Sequence, residues 1–165
     1  MNHQLGRIPI VSVGFVLYVM LLMSVPVVAD EAHAIRAVKM DPEKLAGINL
    51  PAEEAFIDPE DVIEGNHRPR GEILYYGNQL ILEVYEDESA TFRVDEPYTF
   101  DEYVMVLSGK LILTSADGET QEFVAGDSLV VPKGWTGTWQ MLGNFREFVV
   151  IEREAYEAEY GTGEE

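Results

Sequence analysis

From Glu72 onward the chain is cut into short β-forming runs by closely spaced turn signals, and this punctuation leaves few folds open to it. Residues 73–76 and 80–85 flank Gly77-Asn78, a pair suited to a hairpin turn. Residues 90–94 follow the polar turn 86–89, and 103–107 are parted from 111–114 by Ser108-Gly109. Asp117-Gly118 is the strongest hairpin signal, with 119–124 as its return strand. Gly126-Asp127 precedes 128–131, which Pro132-Lys133-Gly134 ends, and 136–142 and 145–152 flank Gly143-Asn144. Roughly nine short strands without a long helix predict a sandwich or barrel, because each strand must bury one face and hide its edges. The expectation is an all-β, small closed barrel over residues 62–152, with reversals at Gly109, Gly126 and Gly134.

The flanks read differently. Residues 1–29 have the pattern of a signal peptide: Arg7 as the positive n-region, an apolar stretch at 10–23, and Val27-Val28-Ala29 before Asp30. Ala32-His33-Ala34 offers a second cut, and an uncleaved anchor is the alternative, since 8–28 is near the ~20 residues that span a bilayer. Either way the rest is expected to be exported, periplasmic or secreted. Residues 30–61 form an arm that wraps the domain, with Asp41-Pro42 as the start of a helix of a turn or two. Residues 153–165 form a tail, a short exposed helix to residue 160 and then a disordered end.

The chain has no cysteine, which excludes disulfides, thiolate chemistry and a lipid-modified cysteine. Every acidic residue lies at or after Asp30, so loss of residues 1–29 leaves ten basic against thirty acidic side chains, a net charge of −20. Such a surface repels nucleic acid and anionic membranes. Apart from an N-terminal anchor, no membrane contact is expected.

Two segments carry a resemblance. The first runs from Glu96-Pro97-Tyr98 through Asp101-Glu102 to Ser108-Gly109; the second is Gly126-Asp127, Pro132-Lys133-Gly134-Trp135-Thr136-Gly137-Thr138-Trp139. Together they resemble the two motifs of the cupin superfamily, a Glu followed seven residues later by Gly, then Gly-Asp-x4-Pro-x-Gly. Val62-Ile63-Glu64-Gly65, Thr91-Phe92, Leu107-Ser108-Gly109 and Asp117-Gly118 add a similarity to the branch containing ureidoglycine aminohydrolase-like proteins. The resemblance covers residues 62–152 and implies a double-stranded β-helix jelly roll.

Metal-binding cupins place His-x-His before the motif Glu and another His after Pro-x-Gly. The corresponding positions here hold Glu96, Tyr98 and Gly137, so no ligand histidine remains. The resemblance implies that some relatives use Glu at the first position and hold manganese, which Glu96 matches. Glu96, Tyr98 and Glu102 also share strand parity, which would turn all three toward one cavity. Two close carboxylates raise one another's pKa or call for a hard cation such as Mn²⁺. The expectation is nonetheless no resident metal or cofactor, with Glu96 and Glu102 as the ligands if one is held. His67, in a polar loop, is expected to be exposed.

An aromatic-lined pocket with a few polar groups is how such a barrel holds a small organic ligand. The candidates are Arg93, Glu96, Tyr98, Glu102, Trp135, Trp139 and Arg146, with Trp139 at a pocket wall and Arg93 as an anion reader. Arg146 matches a basic position of the resembled family, but Glu147 stands where a lysine usually follows, which points to a different ligand. No Ser-His-Asp arrangement, phosphate-cradling loop or zinc spacing is present, and no catalytic residue is assigned. The leading expectation is an exported cupin that binds a small polar organic ligand. The alternatives are a metal-dependent hydrolase of ureido or amino C–N bonds and an envelope protein-interaction module, and a homodimer is expected.

Overall fold

One strand, β8 (Gly137–Glu152), organises the molecule, because its two halves belong to different sheets. The computed structural model describes residues 35–161, within which the compact unit begins at Val38. The signal segment expected over 1–29, the first residues of the arm and residues 162–165 lie outside the described residues.

The described strands are β1 (Val62–Gly65), β2 (Arg70–Tyr76), β3 (Leu80–Asp87), β4 (Ala90–Val94), β5 (Glu102–Ser115), β6 (Thr120–Val124), β7 (Ser128–Val131) and β8, all paired antiparallel. Residues 137–141 of β8 pair with β4 and residues 145–152 with β3, while β5 follows β8 along most of its length. The far half of β5 pairs with β6 and the near half with β7. Two sheets result, β1-β4-β8-β5-β6 and β2-β3-β8-β5-β7, joined through the bent strands β5 and β8. This is an antiparallel jelly roll, as expected. Its hydrogen-bonded ladder ends at β1, β2, β6 and β7 among the described strands, so the barrel closes by packing and not by a continuous ladder.

Two of the expected reversals are bends inside single strands. Residues 103–107 and 111–114 are both β5, and 136–142 and 145–152 fall almost wholly in β8. Gly109 has φ +72°, and a Cβ there would lie 2.8 Å from Leu142 O and 2.8 Å from Phe145 Cα. Glycine at this position lets the two strands touch backbone to backbone where both turn the corner. The irregular register between Val106 and Lys110 also shifts the buried row of β5 from Val104 and Val106 to Leu111 and Leu113. Gly126 and Gly134, by contrast, lie in turns at φ +99° and +89°.

Between the sheets lies a core of Phe92, Val104, Val106, Leu111, Leu113, Trp139, Met141 and Phe145. Along the arm, α1 (Pro42–Leu45) starts where Asp41 accepts the Glu43 N–H at 2.8 Å. The chain then runs beside β2: Leu50 is buried, its carbonyl accepts from Arg70, and Ala52 bridges to Arg70. The tail helix α2 (Arg153–Tyr160) forms where expected, but its face is not free. Ala155 and Tyr156 pack on Phe100, Val149 and Ile151 at one end of the barrel.

Candidate functional site

Side-chain alternation along β3 and β8 sends one row of each strand inward. From β3 that row brings Glu83 and Tyr85, and from β8 Trp139, Glu147, Val149 and Ile151. With Ile73, Phe92, Val94, Tyr98 and Glu102 they enclose a cavity of about 250 Å³. Glu53, Phe56 and Ile57 of the arm and Tyr156 and Tyr160 of α2 complete its lining. The segments outside the barrel thus supply part of the wall of the space inside it.

The chemistry of the wall is one-sided. Its ionisable groups are Glu53, Glu83, Glu102, Glu147 and tyrosines, with no Lys, Arg or His among the lining residues. Burial pushes Glu83 up to about 7, with the charges of Glu53 and Glu102 adding to it. Glu102 is also pushed up to about 7 by burial, opposed by a hydrogen bond from Tyr98. Glu147 is raised well above the usual carboxylate range, by burial first and then by Glu102 and Glu83. Only 5% of Glu147 is exposed, and its Oε2 has no hydrogen-bond partner.

The seven candidates drawn from the sequence separate. Tyr98, Glu102 and Trp139 line the cavity. Trp135 stands one ring behind, in edge contact with both Tyr98 and Trp139, and donates its indole N–H to Ser115 Oγ at 3.1 Å. Glu96 is exposed and outside the cavity lining. The parity that joined it to Tyr98 and Glu102 presumed a strand. Residues 95–101 instead form a loop fixed by Tyr98 N–H to Trp135 O and Gly134 N–H to Tyr98 O. Arg93 turns outward to Asp61 and Asp95, both at 2.9 Å. Arg146 lies on the opposite face of β8 from Glu147, paired with Glu86 at 2.9 Å and packed beneath Gly47.

The metal arrangement implied by the resemblance does not fit these residues. Glu96 and Glu102 do not share the cavity, Gly137 has no side chain, and among the described residues no three His, Cys, Asp or Glu side chains converge on one ion.

His67 corrects a further expectation. Its side chain is 2% exposed, wedged against Phe56 and Phe92. Nε2 accepts the Phe56 N–H at 3.3 Å, so the ring proton sits on Nδ1 and is donated to Asp87 Oδ2 at 2.7 Å. Asp87 also accepts from Tyr85 Oη, Arg68 N and Glu88 N. This buried cluster anchors the arm and the 66–69 loop behind the cavity wall.

Residues 83–148 match the EutQ-like cupin domain family. An ethanolamine utilization protein Q from Salmonella typhimurium is 26% identical over 53% of this chain and 71% of its own, with a TM-score of 0.47. A protein of unknown function from Pseudomonas syringae pv. tomato is 20% identical over 62% of this chain, which spans only 43% of that one, at a TM-score of 0.56. The polyketide cyclase RemF from Streptomyces resistomycificus is 17% identical over 73% of this chain and 80% of its own, at 0.50. The last two share the fold. A search of curated proteins finds no match.

Proposed function

We propose that the barrel, of which residues 83–148 match the EutQ-like cupin domain family, is a binding site for one small organic molecule. The cavity carries this reading: about 250 Å³, walled by Phe56, Phe92, Tyr98 and Trp139, with a few polar groups among them. That combination of apolar wall and sparse polar groups is how small-molecule sites are built. The core is otherwise filled by well-packed side chains, so a space of this size in a small barrel favours an occupant. In this proposal the protein works outside the cytoplasm, as the apolar segment behind Arg7 suggests.

The hydrolase alternative, in the ureidoglycine aminohydrolase manner, would need Glu96 and Glu102 to act on one substrate. Only Glu102 lines the cavity, so binding is the better-supported activity. Thermal-shift measurements against a metabolite panel, read alongside tryptophan emission, test the proposal. Trp139 lies in the wall and Trp135 touches it, and these are the only tryptophans in the chain, so a bound ligand is expected to change the emission. A panel that moves neither the melting temperature nor the emission would overturn it.

A further inference from the structure

We infer that the occupant of this cavity is a small organic cation, an alkyl- or arylammonium whose N–H groups meet the free oxygen of Glu147 while its carbon skeleton lies against Phe92, Tyr98 and Trp139. This rests on the binding proposal above and narrows it to one chemical class.

The missing hydrogen-bond donor is the first argument. A buried acceptor without a partner is costly, and native proteins keep few of them. Of the neighbouring hydroxyls, Tyr85 donates to Asp87, and that of Tyr98 lies toward Glu102. The nearby guanidinium groups point elsewhere, although the buried Nε of Arg146 is itself without a partner. Arg146 faces Glu86 on the other side of the strand, Arg93 faces Asp61 and Asp95, and Arg153 faces Glu157. What Glu147 lacks is a donor that arrives from outside the chain.

Charge and shape decide which donor. Glu53, Glu83 and Glu102 line the same cavity without a cationic side chain, so nothing in the wall compensates the charge of an anion. A metal dication needs several oxygens at one point, and among the described residues no three candidate ligands converge. An ammonium group asks less, one or two carboxylates and the faces of aromatic rings. The rings lining this cavity are Phe56, Phe92, Tyr85, Tyr98, Trp139, Tyr156 and Tyr160.

Binding a cation is also expected to expel protons. The groups facing Glu147 are Glu83 and Tyr85 from β3, Glu102 from β5, Tyr98 from its loop, Glu53 from the arm, and Tyr156 and Tyr160 from α2. Burial pushes Glu83 and Glu102 up to about 7 and holds Glu147 above the usual carboxylate range, so part of the cavity's carboxyl groups is protonated at neutral pH. An incoming positive charge favours the carboxylate, so affinity should rise with pH while the amine stays protonated.

The test is calorimetric titration of the full-length protein with three molecules of one shape: benzylamine, benzyl alcohol and benzoate. Benzylamine is expected to bind at least about tenfold tighter than benzyl alcohol, with no binding of benzoate. Repeating the titration in two buffers of different ionisation heat is expected to show release of about one proton per ligand at pH 7. Glu147→Gln keeps the side chain's shape and is expected to remove the preference for benzylamine over benzyl alcohol. If that variant does not fold, Glu83→Gln carries the same comparison, and unaltered benzylamine affinity in every folded variant would overturn the inference. Equal or tighter binding of the alcohol or benzoate overturns the cation assignment and leaves the binding site standing. So does displacement of benzylamine by Mn²⁺. Failure of all three probes together with a neutral or anionic hit in the metabolite panel has the same meaning. Silence in both experiments overturns the inference and the binding proposal together.

Discussion

Tyr85 of β3 stands directly across the ladder from Glu147 of β8, yet its hydroxyl donates to Asp87 Oδ2, at 3.1 Å. The donor closest in register to the unpartnered carboxyl oxygen of Glu147 is thus committed to a structural cluster. Two systems meet at Tyr85, an anchored one behind the wall and an unsatisfied one in front of it.

The cavity carboxyls should make stability fall as pH rises. Unfolded, Glu83 and Glu102 titrate near 4.5; folded, burial pushes both to about 7. Between those values the native state holds more protons than the unfolded chain, so these groups support folding below about pH 4.5. Their support is lost progressively up to about 7. Urea denaturation should find Glu102→Gln and wild type alike near pH 4 and the variant more stable by roughly 1–3 kcal/mol at pH 8. A difference that does not grow with pH contradicts this.

The anchoring cluster contributes through its hydrogen bonds. Asp87 is almost fully buried and accepts from His67, Tyr85, Arg68 and Glu88. Asp87→Ala strands all four donors and is expected to destabilise by about 3–5 kcal/mol. The midpoint of chemical denaturation reads this directly, and a loss below about 1 kcal/mol would show that the cluster contributes little.

Two glycines of similar backbone angle should differ sharply. Gly109 at φ +72° lies against the backbone of β8, whereas Gly118 at φ +89° has nothing within 4 Å of a Cβ. Gly118→Ala is expected to cost only the left-handed backbone penalty, about 1–2 kcal/mol. Gly109→Ala must also push β5 and β8 apart at their shared corner, so its loss should exceed that of Gly118→Ala by more than about 1 kcal/mol. Comparable losses in thermal denaturation would mean that the corner yields.

Removing α2 should uncover one end of the barrel. Ending the chain after Glu152 exposes the face of Phe100, Val149 and Ile151 and takes Tyr156 and Tyr160 from the cavity lining. The expectation is a loss of about 2–4 kcal/mol and a rise in binding of an apolar fluorescent dye. Unchanged stability and dye binding would show that the helix is dispensable.

The architecture was legible because turn chemistry is local. Gly77-Asn78, Asp117-Gly118 and Gly126-Asp127 all lie between strands, as expected. Gly109 and Gly143 misled because a strand corner asks for the same residue as a reversal. Only the pairing of β5 with β8 tells the two apart. Tyr98, Glu102 and Trp139 were reached through motif position, whereas Glu83 and Glu147 were missed as cavity residues. A trace of Glu147 was present, an acid in the otherwise apolar row Phe145, Val149, Ile151. For Glu83 the trace is weaker, since the alternate row Leu80, Leu82, Val84 is more apolar than Glu83's own. His67 was unreadable because its burial comes from the arm folding Phe56 over it, a contact between distant parts of the chain.

The sharing of β5 and β8 between both sheets has a consequence for how the molecule comes apart. Neither layer has a private centre, since each contains half of the same two ribbons. One layer cannot melt while the other survives, because the surviving half would drag a frayed continuation of its own middle strands. Amide protons on either side of Gly143 should therefore exchange with solvent through the same rare event, with a single free energy of opening.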